Sequence, residues 1–453
     1  MYFDYNFEPR GDYLCIDCKS FYASVECVAR GLNPLTAMLV VLSGADRPGG
    51  LVLASSPTAK RVLGISNVTR KFELPNHPDL LQVPPRMGLY IETNMKIVNI
   101  IRRYVSDDDI HVYSIDELFI RYDKVKNLYG NVDVKLFAKA IMRKILQETG
   151  IYTTIGIGDN MLLAKLALDN EAKKNPDMMA EWRYEDVPTK VWTINPITDF
   201  WGIGEKTAQN LYKKGIDTIE DLANCNPFLL KESMGAIGVQ LHAHANGIDR
   251  SRIDQKFKPL EKSVSNSQVL LKDYTDIREI EVIIREMTDL VASRLRKIHA
   301  QTECISLRIG YSYTTMLPGF SHQMKIPATA NTKQLTEYAL KIFREYYIGY
   351  EVRSVAISCS KLIYQTSIQL DLFSDPEKLF QQEKLDYLCD EIRNRYGFKA
   401  LVHASSLLPG ATAISRSSKI GGTINQRKEG IADVLWRKLS RSRDGQMGGF
   451  LFV

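Results

Sequence analysis

Tyr113-Ser114-Ile115-Asp116-Glu117-Leu118-Phe119-Ile120 sets two adjacent carboxylates inside a run of aromatic, β-branched and aliphatic residues. That composition predicts a strand bent back on itself as a tight hairpin, rather than a helix or a solvated loop, with the strand running over Ser114–Asp123. Paired carboxylates in an apolar frame repel each other unless a cation holds them together. On this stretch alone, an ordinary hairpin with two charges at its tip fits equally well.

A second stretch shifts the weight: Tyr13-Leu14-Cys15-Ile16-Asp17-Cys18-Lys19-Ser20-Phe21-Tyr22-Ala23-Ser24-Val25-Glu26. An apolar strand ends on Asp17 and runs into an aromatic pair and a helix start. Carboxylates converging from the ends of neighbouring strands would suit Mg²⁺, which takes oxygen ligands and keeps waters for substrate phosphates. Together the two stretches resemble the D-x-x-x-F-[YF]-A and S-I-D-E motifs of Y-family translesion DNA polymerases, and most of all the bacterial UmuC-type (ImpB/MucB/SamB) branch. The resemblance runs at intervals to about residue 375.

Composition allows this and excludes other classes. At 453 residues the chain expects three or four domains, and its 45% apolar and 25% charged content is ordinary for a globular protein. A net charge of +6 permits nucleic-acid binding without requiring it. Seven scattered cysteines without a secretory signal suggest reduced cytoplasmic thiols. Cys15-x-x-Cys18 has no second pair, and on a strand i and i+3 face opposite ways, which argues against zinc. No apolar run approaches a membrane span.

The expected fold is α+β with a right-hand polymerase architecture. A ferredoxin-like palm (1–20 and 88–172) is interrupted by small fingers (21–87) with a helix from Pro57 to Gly64; where the palm resumes, a helix is expected over Tyr90–Tyr104 whose inner face carries Ile91, Met95, Val98 and Ile101 or Ile100. A helix is expected over Asn160–Lys173. A helical thumb (173–256) holds Trp201-Gly202-Ile203-Gly204-Glu205-Lys206, which resembles a helix-hairpin-helix whose backbone N–H groups meet a DNA phosphate. After a basic linker (257–262), a β-α-β-β-α-β little finger (263–366) presents Arg308 to the duplex. Gln369-Leu370-Asp371-Leu372-Phe373, in a segment over 367–376, resembles a bacterial sliding-clamp motif in which Gln369, Leu370, Leu372 and Phe373 make the contact. The tail (377–453) is basic and could touch DNA, a recombinase filament or an accessory subunit, or stay solvated.

The resemblance implies template-directed, error-prone DNA synthesis with primer-template DNA and dNTPs. Asp17, Asp116 and Glu117, with the backbone carbonyl of Cys18, would hold two Mg²⁺. Arg61 and Lys165 would neutralise the triphosphate. Phe21 would line the nucleotide pocket, and Tyr22 would be the steric gate against a ribose 2′-hydroxyl. The family often has Tyr three residues before the arginine; here Thr58 stands there, leaving one triphosphate hydrogen bond open. A small lid implies weak inspection of the base pair. Two other readings stay open: a catalytically silent DNA- and clamp-binding recruitment protein, and a palm-type nucleotidyl cyclase, against which the DNA-gripping segments argue.

Overall fold

The computed structural model describes residues 3–44, 49–255, 262–364, 376–420 and 423–424. The expected clamp motif at 369–373, most of the linker and residues 425–453 lie outside the described residues. Two compact units divide the chain, Met1–Lys256 and Phe257–Val453.

In the first unit β1 (Tyr13–Cys18) leads into α1 (Phe21–Val28). β2 (Leu39–Ser43), β3 (Leu51–Ser55), α2 (Pro57–Leu63) and β4 (Leu81–Val83) follow. Their sheet, ordered β3-β2-β4, closes on α2 around Val40, Leu42, Val52 and Ala59. α2 starts at Pro57, whose missing N–H costs nothing there, and stops at Gly64, where φ is +65°.

Then come α3 (Met87–Ile101), β5 (Ile110–Val112), β6 (Glu117–Arg121), α4 (Val134–Thr149), β7 (Thr153–Gly158), α5 (Met161–Ala167) and β8 (Met179–Trp182). The main sheet of this unit is ordered β5-β6-β1-β7-β8, so β1 lies centrally, antiparallel to both neighbours. α5 lies directly on β7 because Gly156 and Gly158 have no side chains there. A Cβ on Gly156 would come within 2.0 Å of the Ala164 carbonyl oxygen, and one on Gly158 within 2.4 Å of the Ala164 nitrogen. The expected long helix over Asn160–Lys173 is regular only to Ala167 and continues as a wider π-type turn over Leu168–Ala172. The expected strand over Ser114–Asp123 begins at Glu117, so Asp116 belongs to the turn.

The unit ends in α6 (Glu205–Tyr212), α7 (Ile219–Asn224), α8 (Pro227–Met234) and α9 (Ala236–Ala245). The second unit contains β9 (Val264–Tyr274), α10 (Ile277–Lys297), β10 (Gln301–Tyr311), β11 (Phe320–Thr329), α11 (Thr332–Tyr346), β12 (Val352–Ile363) and α12 (Pro376–Tyr396). Strand order is β11-β10-β12-β9. Ile305, Leu307 and Ile309 on β10 alternate inward, beneath Ile283, Met287 and Val291 of α10. No helix among the described residues is long and apolar enough to cross a membrane.

Candidate active site

Asp17 stands opposite Glu117 in the β1–β6 ladder, and such partners share one face of the sheet. The Cys18 N–H donates to the Asp116 carbonyl at 2.8 Å, which locks the turn against the end of β1. Two side chains brace that turn. Ser114 Oγ donates to Asp116 Oδ1 at 2.7 Å, and Asn94 Nδ2 donates to the Ile115 carbonyl at 2.7 Å. Backbone register thus gathers three carboxylates at one end of the sheet, where burial and the charges of Asp116 and Glu117 lift the Asp17 carboxyl to about 6 against the pull of Lys173.

The three carboxylates have different partners. Glu117 is buried, accepting from Lys165 Nζ at 2.7 Å and from the Cys15 thiol at 3.1 Å. Lys165 is 6% exposed and also pairs with Asp169 at 3.0 Å. It is therefore no solvated surface lysine; the close seating of α5 on β7 drives it inward, onto Glu117. The more open cation is Lys173, with a side chain 39% exposed, 3.5 Å from Asp17 and 2.8 Å from Asp169. Lys60 on α2 also acts on Asp17, and burial lowers its pKa. Lys165, Asp169 and Lys173 alternate in charge at spacings of four, the signal that could have pointed to Lys173.

Hard oxygen donors and more negative charge than Lys173 offsets are what a divalent cation needs. Asp17 and Asp116 fit that role. Glu117 joins only by sharing its carboxylate with Lys165, and no three His, Cys, Asp or Glu among the described residues are grouped ready for an ion. The Cys15 and Cys18 thiols are both buried, and burial raises their pKa well above the usual range, which suits core residues rather than ligands.

Phe21 is buried at the start of α1, with its ring tilted against Tyr22 at 6.0 Å. Tyr22 is half-buried, and burial together with the nearby Asp116 pushes its phenol up to about 12. Arg61 is exposed on α2, with Nη2 3.4 Å from Thr58 Oγ1. That hydroxyl donates to the Leu35 carbonyl at 2.7 Å.

Away from the carboxylates, Gly202 and Gly204 are exposed around the buried Ile203, and Gly202 has φ +100°. No side chain caps α6, and Lys206 in its first turn is exposed. Arg308 is exposed on β10, in a cross-strand row with Ser321, Ala356 and Ser267.

Comparison with known proteins fits this geometry. The impB/mucB/samB family model matches residues 16–169, its C-terminal domain 261–372 and its HHH motif 184–216. The "Putative UV-damage repair protein UvrX" of Bacillus subtilis is 42% identical over 421 residues, 92% of this chain and 99% of that protein. The chain belongs to the impB/mucB/samB family. That places it in the UmuC-type branch of the Y-family DNA polymerases. "DNA polymerase IV 2" of the same organism is 34% identical, over 90% of this chain and 97% of its own. A solved Y-family DNA polymerase chimera shares the fold, with a TM-score of 0.61 at 21% identity, covering 78% of this chain and all of the other. Family membership makes the right-hand α+β architecture the frame in which the carboxylates are read.

Proposed function

We propose that this protein adds dNMP to a primer 3′-hydroxyl opposite a template, as an error-prone, lesion-tolerant DNA polymerase that releases pyrophosphate. The observation that carries this reading is the Asp17–Glu117 register with Asp116 bound to the end of the same strand. Asp17, Asp116 and Glu117, with the Cys18 carbonyl, would hold two Mg²⁺. When bound, these ions supply charge neutralisation and lower the pKa of the attacking hydroxyl.

The chain's own residues then have separable tasks. Asp17 and Asp116 orient the primer end and the triphosphate through their oxygens. Lys173, with Lys60 and Arg61, faces the phosphates, while Lys165 holds Glu117 in place. Tyr22 would be the steric gate that collides with a ribose 2′-hydroxyl. The Gly202–Gly204 loop with Lys206, and the Arg308 row, grip duplex phosphates without reading bases. Residues 1–20 with 88–172, 21–87, 173–256 and 263–366 serve as palm, fingers, thumb and little finger. Gln369, Leu370, Leu372 and Phe373 recruit the chain to a bacterial sliding clamp.

Primer extension with Mg²⁺ on intact and abasic templates tests the reading. Wild type should extend both, and Asp116→Ala neither. Equal extension by the two proteins, or none by wild type, would leave the DNA-binding scaffold as the better account.

A further inference from the structure

Tyr22 and Glu26 lie four residues apart on α1 and so share one face of that helix. Tyr90, in the first turn of α3, is fully buried and spans both. Its ring stacks on Tyr22, with centroids 4.4 Å apart and planes within 15°. Its hydroxyl donates to Glu26 Oε1 at 2.8 Å.

Glu26 is a strong anchor for that hydroxyl. It is 0% exposed, yet it accepts Arg86 Nε at 3.0 and 3.1 Å and Arg86 Nη2 at 2.6 Å, and it also pairs with Arg30. A buried carboxylate between two guanidinium groups cannot shift without stranding charge, so the point to which Tyr90 is tied is fixed. Stacking sets the ring plane, and the hydroxyl bond sets its rotation and depth. An ordinary core aromatic would supply bulk without that tether.

We propose that Tyr90 is a positioning residue for sugar selection: tied to Glu26, it backs one face of Tyr22 and holds that ring where a 2′-hydroxyl collides with it. Tyr90 never touches substrate. It acts through Tyr22, and the inference rests on Tyr22 being the gate. Steric exclusion depends on placement to within about half an ångström, so a gate ring free to tilt would admit ribose.

The test is single-nucleotide incorporation of a dNTP and the matching rNTP. It compares wild type with Tyr22→Ala, Tyr90→Phe, Tyr90→Leu and the Tyr22→Ala/Tyr90→Leu double variant. The readout is the dNTP-to-rNTP ratio of kcat/KM, which does not depend on the fraction of each variant that folds. Tyr90→Leu should lower the ratio about tenfold or more, and Tyr90→Phe, which keeps the stack and loses the tether, by a few-fold. The double variant should match Tyr22→Ala alone, because Tyr90 has no target once Tyr22 is gone. A ratio for Tyr90→Leu within twofold of wild type, while Tyr22→Ala collapses it, would reduce Tyr90 to packing. A ratio unchanged by Tyr22→Ala would instead remove the gate itself, and the inference with it.

Discussion

Asp17 and Glu117 face each other across two hydrogen-bonded strands, yet they have different cations beside them: Glu117 the buried Lys165 at 2.7 Å, Asp17 the more exposed Lys173 at 3.5 Å. The split gives two neighbouring carboxylates different jobs. One is held by the fold, and the other keeps excess charge that its more distant cation offsets only in part.

That excess charge should be measurable as stability. The Asp17 carboxyl has its folded pKa raised from 3.8 to about 6. The unfolded chain therefore ionises first, and stability is lost as pH rises across that window and stays lost above it. With the side chain 16% exposed, the penalty is at most about 3 kcal/mol. Asp17→Asn should thus raise the melting temperature in EDTA at pH 8 and gain little near pH 4. Equal shifts at both pH values would contradict the assignment.

Lys165 and Lys173 should fail differently when replaced. Lys165→Met strands the Glu117 carboxylate in the interior and should cost about 3 kcal/mol or more in a denaturant melt. Lys173→Ala should leave the melt nearly unchanged and raise the KM for dNTP about tenfold, the loss of one charge-assisted phosphate contact. The opposite pattern would return the triphosphate role to Lys165.

The exposed glycine loop and the Arg308 row should contact phosphates, not bases. Lys206→Ala and Arg308→Ala should each weaken primer-template binding equally for unrelated sequences. Each should also reduce the slope of log Kd against log salt by about one. A sequence-dependent loss with an unchanged slope would speak against backbone contact.

Deleting Gln369 to Phe373 should abolish pull-down of a bacterial sliding clamp while basal primer extension persists. Retained pull-down would discredit the motif.

The sequence reveals the element plan well where periodicity is strong. Alternation along Ile305, Leu307 and Ile309 marks β10, and Pro57 and Gly64 bracket α2. It does less well where tertiary contacts choose between near-equal options. Ile91, Met95, Val98 and Ile101 or Ile100 are the expected inner stripe of α3; Val98, Ile100 and Ile101 are buried, but Ile91 and Met95 are only half-buried, and the buried set runs instead through Tyr90, Thr93 and Ile97. Paired apolar residues leave that phase ambiguous by one position, and the Glu26 hydrogen bond with the Tyr22 stack settles it. The burial of Lys165 is hidden for a similar reason: nothing in its helix pattern marks it as inward, and only the glycine-mediated contact of α5 with β7 buries it. Asp17 and Glu117 come together because the β1–β6 ladder pairs them, a contact between distant stretches of chain that each stretch's own strand pattern makes legible.

If Asp17, Asp116 and Glu117 act as one metal-dependent unit, single-turnover nucleotide incorporation in Mg²⁺ should depend on all three together. Asp17→Asn and Asp116→Asn should each lower the rate about a thousandfold, with the double variant hardly slower than either single one. Glu117→Gln should fall between them and wild type. A rate within tenfold of wild type for Asp17→Asn or Asp116→Asn would contradict the account.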